Sequence, residues 1–272
     1  MIINCALALA SGQTWNVQSN RTLTVGGALI GPAGMNLSGG RTLVLNGNNT
    51  YTDSTTVSNG TLLVNGLLSS TSAVTVVGGT LGGNGTIMGP VTVQSAATLA
   101  PAIWELMLGR VGTMSISKTL SLAGTTVMDV DKAVATNDQV RGITTLTYGG
   151  TLAVTNLAGT LAAGDSFRLF DATSYTGALA TISPASPGIG IVWDSSYLPV
   201  DGTLRVAAVP PERPPIRVTF TGGLPVLAWP SGCTLQSANS LLGPWSAVPG
   251  AVSPFTVVPI DPSKFYRLIL GP

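Results

Sequence analysis

A short unit recurs along the first half of this sequence. Arg21-Thr22-Leu23-Thr24-Val25 returns as Arg41-Thr42-Leu43-Val44-Leu45, Gly60-Thr61-Leu62-Leu63-Val64, Gly79-Thr80-Leu81, Ala97-Thr98-Leu99 and Lys118-Thr119-Leu120-Ser121-Leu122. The threonines stand 20, 19, 19, 18 and 21 residues apart. Repetition at a fixed short period confines a chain to architectures in which each unit buries its apolar side against the next. Within a unit the period is two, so Leu23 and Val25, Leu43 and Leu45, and Leu62 and Val64 share a face while the threonine points away. Each unit is therefore one half-buried strand.

Further short strands, Val74-Thr75-Val76 and Val91-Thr92-Val93, lie between the units, bounded by Asn46-Gly47-Asn48, Ser58-Asn59-Gly60 and Gly82-Gly83-Asn84-Gly85. Asn and Gly supply the positive φ that tight corners need. The spacing is too short for a propeller blade or an immunoglobulin domain, and helical periodicity is missing. The pattern predicts an all-β chain: a right-handed parallel β-helix of ~19-residue coils, stacked ~4.8 Å apart. Leu23, Leu43, Leu62, Leu81, Leu99 and Leu120 form its expected inward column. Carried through residue 206, that period gives roughly ten coils and a rod on the order of 50 Å.

Such a fold accounts for a composition that is otherwise odd. Only 8% of the 272 residues are charged, against roughly 25% in ordinary soluble domains. Aliphatic side chains fill the inside, while Thr, Ser and Asn serve the outside. The absence of histidine removes Ser-His-Asp and Cys-His nucleophile systems and imidazole-ligated zinc. A net charge of +1 gives no basic footprint for nucleic acid or an anionic membrane. No apolar run approaches the ~18 residues of a membrane-spanning helix. Met1–Ala10 lacks a basic n-region, so the sequence is expected to begin inside a domain.

From Met128 the pattern loosens, and Asp129, Asp131 and Asp138 follow a first hundred residues whose one acid is Asp53; a protruding loop is expected there. The strand signature returns at 150–154, 166–170 and 202–206, where aromatic residues enter as in a closing cap. Pro210 to Pro215 holds four prolines and reads as a stiff linker. The expected domains are thus a β-helix over 1–209, a linker over 210–215 and a small antiparallel, β-sandwich-like module over 216–272.

The run Leu43-Val44-Leu45-Asn46-Gly47-Asn48-Asn49-Thr50-Tyr51-Thr52, followed by Thr55-Thr56-Val57-Ser58-Asn59-Gly60-Thr61-Leu62-Leu63-Val64, resembles the autotransporter-associated β-strand repeat. Leu81-Gly82-Gly83-Asn84-Gly85 and Leu99-Ala100-Pro101 extend the resemblance over about residues 10 to 130. It implies a secreted or surface-exposed bacterial β-helix. After Pro101 the family shows a Gly-rich turn, whereas this sequence has the apolar stretch Ala102–Arg110, which suggests an altered coil. No run of alternating strands for a translocator barrel follows the linker. The tail resembles a short terminal module of repeat-rich secreted proteins.

Candidate sites are sparse. Asp129 and Asp131 share a strand face and Asp138 lies seven residues on, a weak Ca²⁺ candidate; a solvated loop is the plainer reading. Asp165 and Asp171 add the carboxylates a glycosidase pair would need, without an evident cleft. The outward threonines 22, 42, 61, 80, 98 and 119 invite comparison with an ice-ordering array, but the next outward column, Thr24, Val44, Leu63, Gly82, Ala100 and Ser121, is irregular. Trp229, Trp245 and Tyr266 could stack on sugar rings or simply pack the small module. Cys5, Leu7, Leu9 and Cys233 are candidates for end-to-end assembly through an uncapped first coil. No cofactor, catalytic residue or nucleic acid is implied. The expected function is a non-enzymatic extracellular structural or adhesive protein, with a filament subunit as the alternative and a polysaccharide-lyase-like or carbohydrate-binding β-helix as the weaker one. Its expected partners are a second copy of itself or a cell-surface or matrix polysaccharide.

Overall fold

A computed structural model describes residues 1–18, 22–69, 72–101, 111–210, 214–258 and 263–270. The chain divides into two compact units, Met1–Val209 and Pro210–Pro272. The proline-rich linker and the apolar stretch after Pro101 fall largely on 211–213 and 102–110, outside the described residues.

The first unit is a parallel β-solenoid with three faces. On one face Ile2–Ile3, Thr22–Val25, Thr42–Leu45 and Thr61–Val64 stack in parallel, each hydrogen-bonded to the next. The second halves of Val74–Gly83 and Val91–Pro101 continue the stack, followed by Thr125–Asp131, Thr151–Asn156 and Thr181–Ser183. A second face carries Gln13–Trp15, Met35–Leu37, Thr55–Val57, the first halves of the same two long strands, and Leu120–Leu122. The C-terminal parts of Gln139–Tyr148 and Phe170–Gly177 complete it. The third face is made of shorter pieces, from Leu7–Ala8 through Leu67–Leu68 to Thr113–Ile116.

Alternation sorts the side chains of the second face; on the first face the column expected to point outward beside the threonines is covered as well, with Val44, Leu63 and Ala100 buried. Leu43, Leu62, Leu81 and Leu99 lie in register and are wholly buried, as are Val57, Val76 and Val93 on the second face. Burying each such side chain stabilises the fold by about 1.5–3 kcal/mol. At the corners the coils approach too closely for any side chain. Gly60 has φ +82°, and a Cβ there would lie 2.1 Å from the Gly39 carbonyl oxygen. Gly79, one coil on with φ +92°, meets Gly60 in the same way. Asn65 Nδ2 donates to Asn46 Oδ1 at 3.0 Å, joining the neighbouring Asn-Gly corners.

The sequence register fails after Leu99. Leu99 stacks on Thr126, and Thr98 on Thr125; Leu120 belongs to the second face, over Val91. Thr98 to Thr125, Thr125 to Thr151 and Thr151 to Thr181 are 27, 26 and 30 residues, so the later coils are longer and fewer than a constant period requires. The segment expected to protrude after Met128 is instead strand. Thr125–Asp131 stacks on Thr151–Asn156 and turns back as a hairpin, Val130 pairing with Asn137.

Of the segments 166–170 and 202–206, only Phe170 belongs to a coil strand. Ser166–Arg168 and Ile191–Asp194 flank Thr203–Ala208 in an antiparallel sheet, which with the short helix Leu198–Asp201 buries Phe167, Leu169, Leu198, Leu204 and Val206 at the end of the solenoid core. The second unit consists of two three-stranded antiparallel sheets around Leu227, Leu235 and Val257.

Thr126 occupies a leucine position, 1% exposed, and its hydroxyl has no hydrogen-bond partner among the described residues. An unpaired buried hydroxyl costs about 1–3 kcal/mol. Thr126→Val keeps the shape and removes that cost, so its urea midpoint is expected to rise by the equivalent of about 1 kcal/mol; a fall would show that the hydroxyl is satisfied.

Candidate functional site

A row of small polar side chains, half-buried to exposed, runs along the second face. Thr14, Asn36, Thr56, Thr75, Thr92, Ser121, Thr147 and Thr176 follow one another in register, one outward residue per strand. Their flanking neighbours, such as Met35 and Leu37 or Val74 and Val76, are buried, which fixes the row outward. A second row runs along the first face: Thr22, Thr42, Thr61, Thr80, Thr98, Thr125, Thr151 and Thr181. Thr119, expected in this row, is replaced by Thr125.

Part of this hydroxyl capacity is used laterally. The hydroxyls of Thr147 and Thr176 lie 3.0 Å apart, Ser174 Oγ bonds Thr145 Oγ1 at 3.0 Å, and Ser58 Oγ donates to Asn36 Oδ1 at 2.7 Å. What remains is a neutral surface that offers donors and acceptors at strand spacing.

The carboxylates do not converge into a centre. Asp138 is 1% exposed; its oxygens accept the Gly112 N–H at 2.7 Å and the Asp129 N–H at 2.9 Å. Asp131 Oδ1 accepts the Ala133 N–H at 3.0 Å. The calcium candidate Asp129, Asp131 and Asp138 is therefore corrected: the hairpin carries Asp138 inward onto backbone donors, and among the described residues no acidic group is arranged to hold a metal ion. Asp165 pairs with Lys132, and Asp171 with Arg168 at 2.7 Å, so these two acids are spent on separate ion pairs.

Burial pushes the Asp138 carboxyl up to about 7, against the opposing pull of its two backbone N–H bonds. Asp129 is also raised, by burial. Asp165 is held low by the Lys132 ammonium.

The assembly candidates divide. Leu9 is 3% exposed, and Leu7, partly buried, packs against the same core. Cys5 is exposed and Cys233 half-buried, each a free thiol. Among the sugar-stacking candidates, Trp229 and Tyr266 pack against the core of the second unit. Trp245 has the Arg267 guanidinium 4.5 Å over its ring, and Arg267 Nε is held by Gln236 Oε1 at 2.8 Å. All three rings are half-buried.

Sequence reasoning passed over a set of polar residues that point inward. Asn49 is fully buried, its Oδ1 accepting the Leu29 N–H at 2.9 Å and its Nδ2 donating to the carbonyls of Gly47 and Leu67 at 2.9 and 3.1 Å. It thereby ties together three successive coils. Two residues on, buried Tyr51 bonds Thr55, which lies 3.2 Å from Ser72 Oγ. These residues give the Asn-Thr-Tyr-Thr segment its physical meaning.

The segment carrying them, residues 37–64, matches the family model described as the passenger-associated-transport-repeat. These residues are similar to that repeat. No curated protein matches the chain. The repeat spans an outward position, Thr56, and the inward set Leu43, Leu45, Asn49, Tyr51, Thr55, Val57, Leu62 and Val64. It is narrower than the span from 10 to 130 over which the sequence carries its resemblance. Most of what defines it here is a way of closing one coil upon the next.

Two outcomes follow. Asn49→Leu strips the Leu29 N–H of its partner in the core and removes the amide's bonds to the Gly47 and Leu67 carbonyls, and is expected to cost about 2–4 kcal/mol in urea unfolding, whereas loss of under ~0.5 kcal/mol, the scale of an ordinary surface change, would show that the amide is dispensable. For Asp138, a folded-state pKa raised above the unfolded value means that its contribution is complete below about pH 4 and is lost as pH rises through about 7. Stability is thus expected to decline between those limits, with a flatter profile in Asp138→Asn; identical profiles would remove Asp138 as the cause.

Proposed function

We propose that this chain is a secreted or surface-exposed, non-enzymatic, passenger-like protein whose solenoid displays neutral hydroxyl rows as a contact surface. The observation that carries this reading is the passenger-associated transport repeat at 37–64, set within a parallel solenoid that continues the same inward and outward pattern in both directions. The lack of charge supports contact with a neutral polymer, such as a cell-surface or matrix polysaccharide, through many weak hydrogen bonds. The carboxylates support it from the other side, since those that lyase or glycosidase chemistry would recruit are engaged one by one with backbone N–H groups or with Lys132 and Arg168.

An end-to-end filament is the second reading. It requires coil edges open at both ends, and the antiparallel sheet with its helix covers much of one end of the core. The cap therefore favours single molecules over fibres.

Antibody raised to the solenoid is expected to label intact producing cells without permeabilisation; labelling only after permeabilisation would contradict surface display. For the contact surface, purified protein carrying Thr56→Glu and Thr92→Glu, two coils apart on the outward row, is expected to lose at least tenfold in binding to polysaccharide-coated surfaces. Its melting temperature should stay close to that of the parent. Unchanged binding would move the contact away from this row.

A further inference from the structure

We propose that the last solenoid strand, Thr181–Ser183, accepts an added strand from an extended peptide whose aliphatic side chain enters the adjoining cavity. Along the first face every strand stacks on the one before it, and Thr181–Ser183 pairs with Thr151–Asn156 alone among the described residues. In a parallel ladder successive residues turn their N–H and C=O groups to opposite neighbours. The Thr181 N–H faces back to the Gly150 carbonyl, so Ile182 turns its backbone groups to the unpaired edge.

Ile182 is also the last member of the inward column. Leu152, one coil earlier, is wholly buried; Ile182 is only partly so. Where the next inward side chain of the column would sit there is a cavity of about 340 Å³. Its walls include Tyr148, Leu179, Ile182 and Leu198, with the Thr181 and Ser195 residues at its margin. No charged side chain lines it, and the Tyr148 hydroxyl already donates to the Leu198 carbonyl at 2.9 Å.

The two features ask for the same occupant. The cavity continues a ladder already built, in which Thr22-Leu23, Thr42-Leu43, Thr61-Leu62, Thr80-Leu81, Thr98-Leu99, Thr125-Thr126 and Thr151-Leu152 are the successive rungs below Thr181-Ile182, all but Thr126 placing an aliphatic residue inward. A peptide with a hydroxyl residue followed by an aliphatic one reproduces the next rung: its backbone bonds Ile182, and its aliphatic side chain stacks on Ile182 inside the cavity. This is β-strand addition, in which main-chain bonds provide affinity and a side-chain pocket provides selection.

The test uses the full-length protein and a peptide copy of its own residues 58–64. Amide exchange at Ile182, read by NMR, is expected to slow at least tenfold at saturating peptide. A copy with Leu62→Asp, and one with an N-methylated backbone, should give no protection. Ser195→Phe, which fills the cavity, should abolish the effect. Should that variant not fold, Leu179→Ala enlarges the cavity and is expected to shift preference toward a peptide with Phe in place of Leu62. Unchanged exchange at millimolar peptide, or equal protection by the Asp or N-methylated copies, would overturn the proposal. So would toluene filling the cavity while the peptide leaves Ile182 unprotected, an outcome that would make this a pocket for small apolar molecules.

Discussion

Every feature of the first unit depends on in-register hydrogen bonding between successive coils. Once Thr42 sits over Thr22 and Leu43 over Leu23, each of these leucines rests on a near copy of itself, and each of these threonines stands beside another hydroxyl. The backbone ladder and the apolar column are one constraint seen from two sides. A slip of one residue would turn the leucines outward and the threonines inward. The corner glycines, the Asn46–Asn65 contact and the buried Asn49 all hold that register where the strands are too short to hold it themselves.

The same constraint shapes what the surface offers. A chain that must repeat an inward aliphatic residue at each rung has little room for clustered charge, and the acids it does carry are drawn into local duties. Asp138 anchors a hairpin, Asp165 neutralises Lys132, and Asp171 meets Arg168. The chemistry left facing outward along the solenoid is a set of long neutral hydroxyl rows. The one place where the column stops, above Ile182, is where the molecule departs from repetition and leaves a cavity.

Much of this was legible in the sequence. The Thr-Leu pairs and Asn-Gly corners of residues 22–99 predict strands, their inward faces and their stacking. The later register was not legible, for a physical reason. The pattern Thr119-Leu120-Ser121-Leu122 has the same alternation as Thr98-Leu99, and alternation distinguishes inside from outside but not one face from another. Counting a constant period therefore placed Leu120 in the wrong column. Spacing along a strand likewise put Asp129, Asp131 and Asp138 near one another, while depth, which decided the outcome, depends on the hairpin. Asn49 and Tyr51 stood in the motif from the start, yet only the structure shows that they point inward.

The central claim is the stacking register across the point where the sequence period breaks. Spin labels at Thr22 and Thr151, placed in a background with Cys5 and Cys233 replaced by serine, test it through their distance distribution. Six strand spacings separate these positions along the outward row, so the account predicts a narrow peak near ~29 Å at 4.8 Å per step. A broad distribution with no such peak would contradict it, because the later coils would then not continue the ladder that the first five establish.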